Sequence, residues 1–294
     1  MDAADSRADL GPRGQRFELL HFAFHNSKLV IGLTVVLAFL LLAIVGPWLT
    51  DATQFEFGHP TGHPPSSENW LGTTAPGQDV YAQFVHGLRS SFIVGALAAC
   101  VAAGLGMAIG FIGGYLGGAI DEILSMLTNI VLVIPTLAVL IIVSAYLSVG
   151  SLTSEAILIG LTSWPWAARA IRAQTFSLRA REFVSLARLS GQGTTKVIVQ
   201  EIAPNMSSYL FLTFILLFGG SVLTAATLDF LGLGPSQVMS LGLMMNTAVS
   251  NAALQLGLWW WFIPPGIGIT AIVGGLYVMN VGLDEVFNPR LRST

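Results

Sequence analysis

Few side chains in this sequence could carry out bond-making or transfer chemistry, and their spacing argues against most of it. A phosphate-gripping loop requires Gly-Lys-Ser/Thr with a further glycine four residues upstream, so that backbone amides and a lysine cradle the phosphates. Both lysines fail that test, because Lys28 follows Ser27 and Lys196 follows Thr195. Zinc hydrolysis from a helix requires His-Glu-x-x-His. The histidines stand at 21, 25, 59, 63 and 86, and none has that context. His21 and His25 are four apart in an amphipathic N-terminal stretch. His59 and His63 are also four apart, but Pro60 and Gly62 keep them off one helix face, so exposed loop histidines are expected there. Ion-coupled carriers place acids near the bilayer midplane. Here Glu155, Asp229 and the Asp121-Glu122 pair fall at the ends of uncharged runs. Cys100, the single cysteine, cannot form an internal disulfide and is expected to pack as a small hydrophobe. No catalytic, cofactor-binding or metal-ligating residue is assigned.

The elements around these residues belong to a membrane. Only 10% of the 294 residues are charged and 53% are hydrophobic, against about 25% charged in a soluble domain. Such a chain cannot clothe a soluble surface, and it is too apolar to be disordered. A net charge of −3 leaves no basic footprint for nucleic acid. Uncharged runs cover 29–50, 90–120, 123–154, 202–228 and 230–283. A helix needs about 20 apolar residues to cross the bilayer core. Each run holds one span, and a weaker segment from Ala156 reaches span length if Arg169 and Arg172 snorkel at the membrane edge. The prediction is an all-α polytopic protein with six transmembrane helices, at roughly 28–50, 91–115, 120–147, 155–176, 205–228 and 260–281. Twelve of the 13 basic residues then lie on one face, with Arg89 on the other. Basic residues stay cytoplasmic, so both termini are placed in the cytoplasm. Residues 1–27 form a cytoplasmic segment, 51–90 an outer loop, 91–282 a core, and 283–294 a cytoplasmic tail.

Four features of this layout stand out. The amphipathic segment Val80 to Leu88, flanked by Asp79 and Arg89, is expected to lie flat at the outer interface. Gly106, Gly110, Gly114 and Gly118 recur every fourth residue, a small-residue stripe for close helix packing and for gliding of that seam. Trp259, Trp260 and Trp261, before Pro264-Pro265, are read as interfacial anchors or as a candidate outer gate, with the outer loop 229–259 preceding them. The cytoplasmic loop 177–204 is the fourth. Phe183, Leu186, Ala187 and Leu189 recur with helical spacing, Gly191 and Gly193 interrupt, and Val197, Ile198 and Ile202 resume. Helix, glycine turn, helix is the reading. Its apolar ridge, rimmed by Arg181, Glu182, Arg188 and Glu201, suits a partner's groove or the lipid headgroups.

That loop resembles the EAA loop of ABC importer permeases, in particular the dipeptide/oligopeptide/nickel branch and its second, C-type subunit. The triplet falls on Ser185, Leu186 and Ala187, with Gly191 and Pro204 following. Only one triplet residue is kept, and Ala203 stands where the branch has Leu. Asn69-Trp70-Leu71-Gly72-Thr73, then Gly77 and Asp79, resembles the branch's outer-loop motif, departing at Asn69, Thr74 and Gln78. Gly113-Gly114-Tyr115-x-Gly117-Gly118-x-x-Asp121-Glu122 is similar to the turn between spans two and three. Phe230-Leu231-Gly232-Leu233-Gly234 is similar to the segment after span five. Gly282-Leu283 and Pro289-Arg290-Leu291-Arg292 resemble the C-terminal signature, departing at Val281, Asp284 and Asn288.

The resemblance implies a type I importer-like fold and a non-enzymatic role. The chain would supply half of a translocation path for peptides, or alternatively for an oligosaccharide or a nickel complex. Its partners would be a homologous permease, two ABC ATPase subunits that bind ATP and Mg, an extracytoplasmic solute-binding protein and the bilayer of a prokaryotic plasma membrane. Arg181, Glu182, Ser185, Leu186, Ala187, Arg188 and Gly191 would form the ATPase-coupling segment. The alternative is a stand-alone channel or secondary carrier, for which the loop would be dispensable.

Overall fold

A computed structural model of the chain describes residues 22–50, 53, 55–147 and 150–288. The arginines at 7, 13, 16, 290 and 292, His21, and the Pro289–Arg292 part of the C-terminal signature lie outside the described residues.

Every regular element among the described residues is helical, and the only β-pairing among them is one isolated bridge between Thr73 and Asp79. Helix α1 spans Ser27–Val45 and ends in a tight turn, Gly46–Trp48. Residues 55–79 form a compact cap, and α2 follows at Val80–Leu116. Next come α3, Gly118–Val133, and α4, Thr136–Leu147. Helix α5 is Leu152–Arg179. The loop that follows holds α6, Glu182–Leu189, and α7, Thr194–Val197, which continues through a π-helical turn, Ile198–Ile202, and a helical turn, Ala203–Asn205. Helix α8 is Ser207–Phe230, α9 is Leu241–Ser250, and α10 is Trp259–Phe287.

Among the described residues four helices are long and apolar enough to cross a membrane: α1 with its tight turn, α2, α8 and α10. The bent pair α3–α4 makes a fifth if it counts as one span. The third expected span is therefore broken, with a bend of 78°. Pro135 is the cause, because a residue before proline avoids helical angles, and Ile134 is extended at φ −74°, ψ 127°. The fourth expected span, α5, is one long helix but carries too many polar residues to pass by composition.

The flat interfacial segment does not form. Val80 to Leu88 is the first quarter of α2, and Val80, Val85 and Leu88 are fully buried against α1, α9 and α10 residues. Asp79 caps this helix by accepting from the Ala82 amide at 2.7 Å. Cys100, expected inside, is exposed on α2.

Glycines set how closely the helices meet. On α2 a Cβ at Gly106 would come within 2.8 Å of Ala167 Cβ, and at Gly110 within 2.8 Å of the Ala168 carbonyl. At Gly114 it would come within 2.7 Å of the Arg172 carbonyl. These three residues seat α5 against the α2 backbone. Gly118 is not part of that seam: the helix ends at Gly117 (φ +70°), and Gly118 (φ +58°) faces open space. A second notch joins α1 to α10, where Gly32 meets the Met279 backbone and Gly282 meets Leu29. Asn26 and Lys28 then bond to Glu285 at 2.7 and 2.5 Å.

Candidate functional site

Three regions carry the polar and exposed groups that could act: the loop 180–206, the cap with the tryptophans beside it, and the buried polar groups of α3, α5 and α8.

In the loop, helical periodicity divides α6 in two. Val184 is fully buried, Ala187 is 6% exposed, and Phe183 is half-buried with them. They pack in a cluster with Tyr115 and Phe111 of α2, Ile171 of α5, and Val197 and Ile202. Leu186 and Leu189 point the other way and are 63% and 85% exposed. So the expected single ridge is two faces, and Ala187, expected among the contact residues, faces the body of the protein. Arg181, Glu182, Ser185, Arg188 and Gly191 are exposed around the two leucines. Arg188 folds back: its Nε donates to the Tyr115 hydroxyl at 3.1 Å, and its guanidinium lies 4.7 Å from the ring centroid. Gly191, at φ +77°, ends α6; its amide donates to the Arg188 carbonyl, and the Gln192 amide to that of Ala187. Such a left-handed cap favours glycine. A shallow hollow lined by Leu178, Ala180, Arg181, Glu182, Phe183 and Leu186 adjoins the exposed face.

The cap is a hydrogen-bonded knot. Asn69 Nδ2 donates to Asp79 Oδ2 at 2.7 Å. Thr73 Oγ1 accepts from the His63 amide at 2.8 Å, and the Thr73 amide donates to the His63 carbonyl at 2.9 Å. Gly72 (φ +73°) has no room for a side chain, since a Cβ would stand 2.7 Å from the His63 carbonyl and 2.8 Å from Trp260 Cδ1. Trp260 Nε1 donates to the Thr73 carbonyl at 3.1 Å, which pins α10 to the cap. The three tryptophans therefore part company. Trp261 is fully buried within the chain, so it cannot wall a gate, and Trp260 clasps the cap. Trp259 alone is exposed, edge-on to Trp260 at 5.8 Å. His59 and His63 sit in this knot, and among the described residues no three metal-ligating side chains gather.

The third region was not apparent from spacing. Glu155, in the first turn of α5, is 1% exposed, and Asp229, at the end of α8, is 4% exposed. Their carboxyl groups lie close enough to act on each other electrostatically. Ser240 donates to Asp229 at 2.5 Å, whereas no protein donor reaches either Glu155 oxygen. They are 74 positions apart, so no periodicity signals the pair. Near the other end of α5 the arginines do not snorkel. Arg172 forms a two-pronged ion pair with Asp121 of α3, with Nη2 to Oδ2 at 2.6 Å. Arg169 Nη2 donates to Asn129 Oδ1 at 2.6 Å.

Known proteins resemble this sequence. Residues 106–293 match the family model for the binding-protein-dependent transport system inner membrane component. A dipeptide transport system permease protein of Alkalihalophilus pseudofirmus is 32% identical over 271 residues, covering 91% of this chain and 88% of the relative. An oligopeptide transport system permease protein of Bacillus subtilis is 30% identical over 275 residues, covering 92% and 88%. A putative peptide permease protein of Brucella suis is 30% identical over 267 residues, covering 90% and 88%. With its apolar helices and its glycine-seated bundle, the chain is a multi-pass plasma-membrane protein and belongs to the family of inner membrane components of binding-protein-dependent transport systems.

Proposed function

We propose that this chain is one of two permease subunits of an ATP-driven importer for peptides or a similar polar solute, and that it does no covalent chemistry. It crosses the bilayer six times, through α1, α2, the bent pair α3–α4, α5, α8 and α10, with both termini in the cytoplasm. Helix α5 serves as a span because several of its polar groups are satisfied locally. Thr162 and Ser163 donate to carbonyls one turn back, and Arg172 is neutralised by Asp121. The excess of basic residues places the loop 180–206 on the cytoplasmic side and the cap outside. A solute-binding protein delivers cargo at the cap, and the relatives named for dipeptide and oligopeptide transport support a peptide cargo.

One observation carries the coupling role. Leu186 and Leu189 stand exposed on a helix that Val184, Ala187 and Arg188 anchor to the body. Two bare leucines rimmed by Arg181 and Glu182 suit a groove on an ATPase subunit, which supplies the ATP and Mg site. ATP-driven closure of the ATPases would then move α6 and, through its anchor on Tyr115, α2.

The test is a double substitution, Leu186→Glu with Leu189→Glu, in the tagged chain purified in mild detergent from its host. The companion permease is expected to co-purify as before while the ATPases are lost and uptake falls. Wild-type ATPase recovery with full uptake refutes the seat. Uptake that persists after deletion of the ATPases makes the chain a stand-alone carrier.

A further inference from the structure

Between α2, α3 and α5 lies a cavity of about 210 Å³ lined by Ser125, Thr128, Asn129, Arg169, Arg172 and apolar residues. Its two arginines are in different electrostatic states. Arg172 is matched by Asp121, which also accepts from Ser125. Arg169 has only the neutral Asn129 amide oxygen, and among the described residues no carboxylate pairs with it. The exposed Glu122 borders the adjoining hollow along α3 and has no ion-pair partner among the described residues either. The cavity itself therefore holds one uncompensated positive charge.

The depth of that charge matters. Arg169 lies ten residues from the end of α5, about 15 Å at 1.5 Å per residue. Asn129 lies eleven residues from the start of α3, about 16 Å in. A snorkelling arginine turns its head toward the membrane edge. Arg169 instead reaches across to Asn129 of α3. A charge at that depth faces a water-filled path or a protein neighbour, because hydrocarbon would make it costly.

We propose that Arg169, oriented by Asn129, pairs with the additional carboxylate of a net-anionic solute in transit, so that this importer favours such solutes over neutral zwitterions. This rests on the permease reading above and adds to it the charge class of the cargo. The Ser125 and Thr128 hydroxyls already donate, to Asp121 and to the Leu124 carbonyl, so the guanidinium is the donor left for a carboxylate there.

The experiment is ATP-dependent uptake into proteoliposomes by the whole transporter, with saturating binding protein. Alanyl-glutamate is the net-anionic dipeptide and alanyl-alanine the neutral one. Each variant is normalised to wild type, which cancels the binding protein's own preference. Arg169→Gln removes the charge, and Asn129→Asp supplies a carboxylate that occupies it while conserving shape. In both, the anionic-to-neutral uptake ratio is expected to fall about tenfold, the scale of one charge pair in partly desolvated surroundings. Arg169→Lys is expected to retain most of the ratio. An unchanged ratio in Arg169→Gln or Asn129→Asp overturns the proposal, and so does a wild type that carries alanyl-alanine and excludes alanyl-glutamate. An Arg169 that binds only inner-leaflet lipid phosphate would lower both uptakes equally. Absence of ATP-driven uptake of either dipeptide by the assembled wild type would instead count against the permease reading.

Discussion

The two ends of the bundle solve opposite problems with the same residue type. Gly72 in the cap and Gly191 in the loop both adopt left-handed angles, at φ +73° and +77°. A Cβ on Gly72 would run into the His63 carbonyl and the Trp260 ring. A Cβ on Gly191 would meet nothing within 4 Å. The cap is tied to its own backbone and to α10 by hydrogen bonds whose partners are all internal. The loop is held by a small apolar cluster and one arginine on one tyrosine, and shows its leucines to the outside. A region that keeps its hydrogen bonds internal is built to hold a shape, whereas one that leaves apolar area uncovered is built to receive a partner.

Substitutions at the two ends should separate these designs. Gly72→Ala carries the largest expected cost, about 3 kcal/mol, from a strained φ plus overlap with Trp260. It should lower the unfolding midpoint of the purified chain in detergent, and a midpoint equal to wild type would mean that the cap is loose. Asp79→Ala removes both the Asn69 bond and the α2 cap, for a loss of about 2 kcal/mol by the same measurement. Gly191→Ala meets no neighbour, so only the backbone term remains, about 1 kcal/mol. If it costs as much as Gly72→Ala, the openness of the loop is an incorrect description. Leu189→Ala should leave stability within about 0.5 kcal/mol, since its side chain is 85% exposed. It should nonetheless lower solute-stimulated ATP hydrolysis in the assembled transporter, and unaltered hydrolysis would remove Leu189 from the proposed seat.

What could be read in advance follows the range of the forces involved. The helix-turn-helix character of residues 177–204 rests on local periodicity and Gly191, and both are written within a few residues. The four-residue glycine period was legible, but where it stops was not. Gly118 fits the count, yet Gly117 turns the chain before it, and only the backbone angles reveal that. The uncharged run 123–154 reads as one continuous span, whereas Pro135 within it breaks the helix. Val80–Leu88 has the pattern of an interfacial helix, with Gln83 on its polar side, but in the fold the Gln83 amide nitrogen donates to Gln78 of the cap. That contact depends on how the cap folds. Glu155 and Asp229 were beyond reach for the same reason: their meeting is a product of how α5 and α8 pack.

Helix α2 has a mechanical consequence. Its 37 residues run without interruption from Asp79, in the cap, to Tyr115, under Arg188. At 1.5 Å per residue it is about 55 Å long, against a hydrocarbon core of about 30 Å. No proline interrupts it to absorb torque. It behaves as a lever with its fulcrum inside the membrane, where Gly106 and Gly110 bear on α5. A tilt of about 10° about that fulcrum would sweep the loop tip through about 2 Å and the cap tip, on the longer arm, through about 7 Å in the opposite direction. A push delivered at Tyr115 on one side of the membrane thus reappears as a displacement of Asp79 on the other.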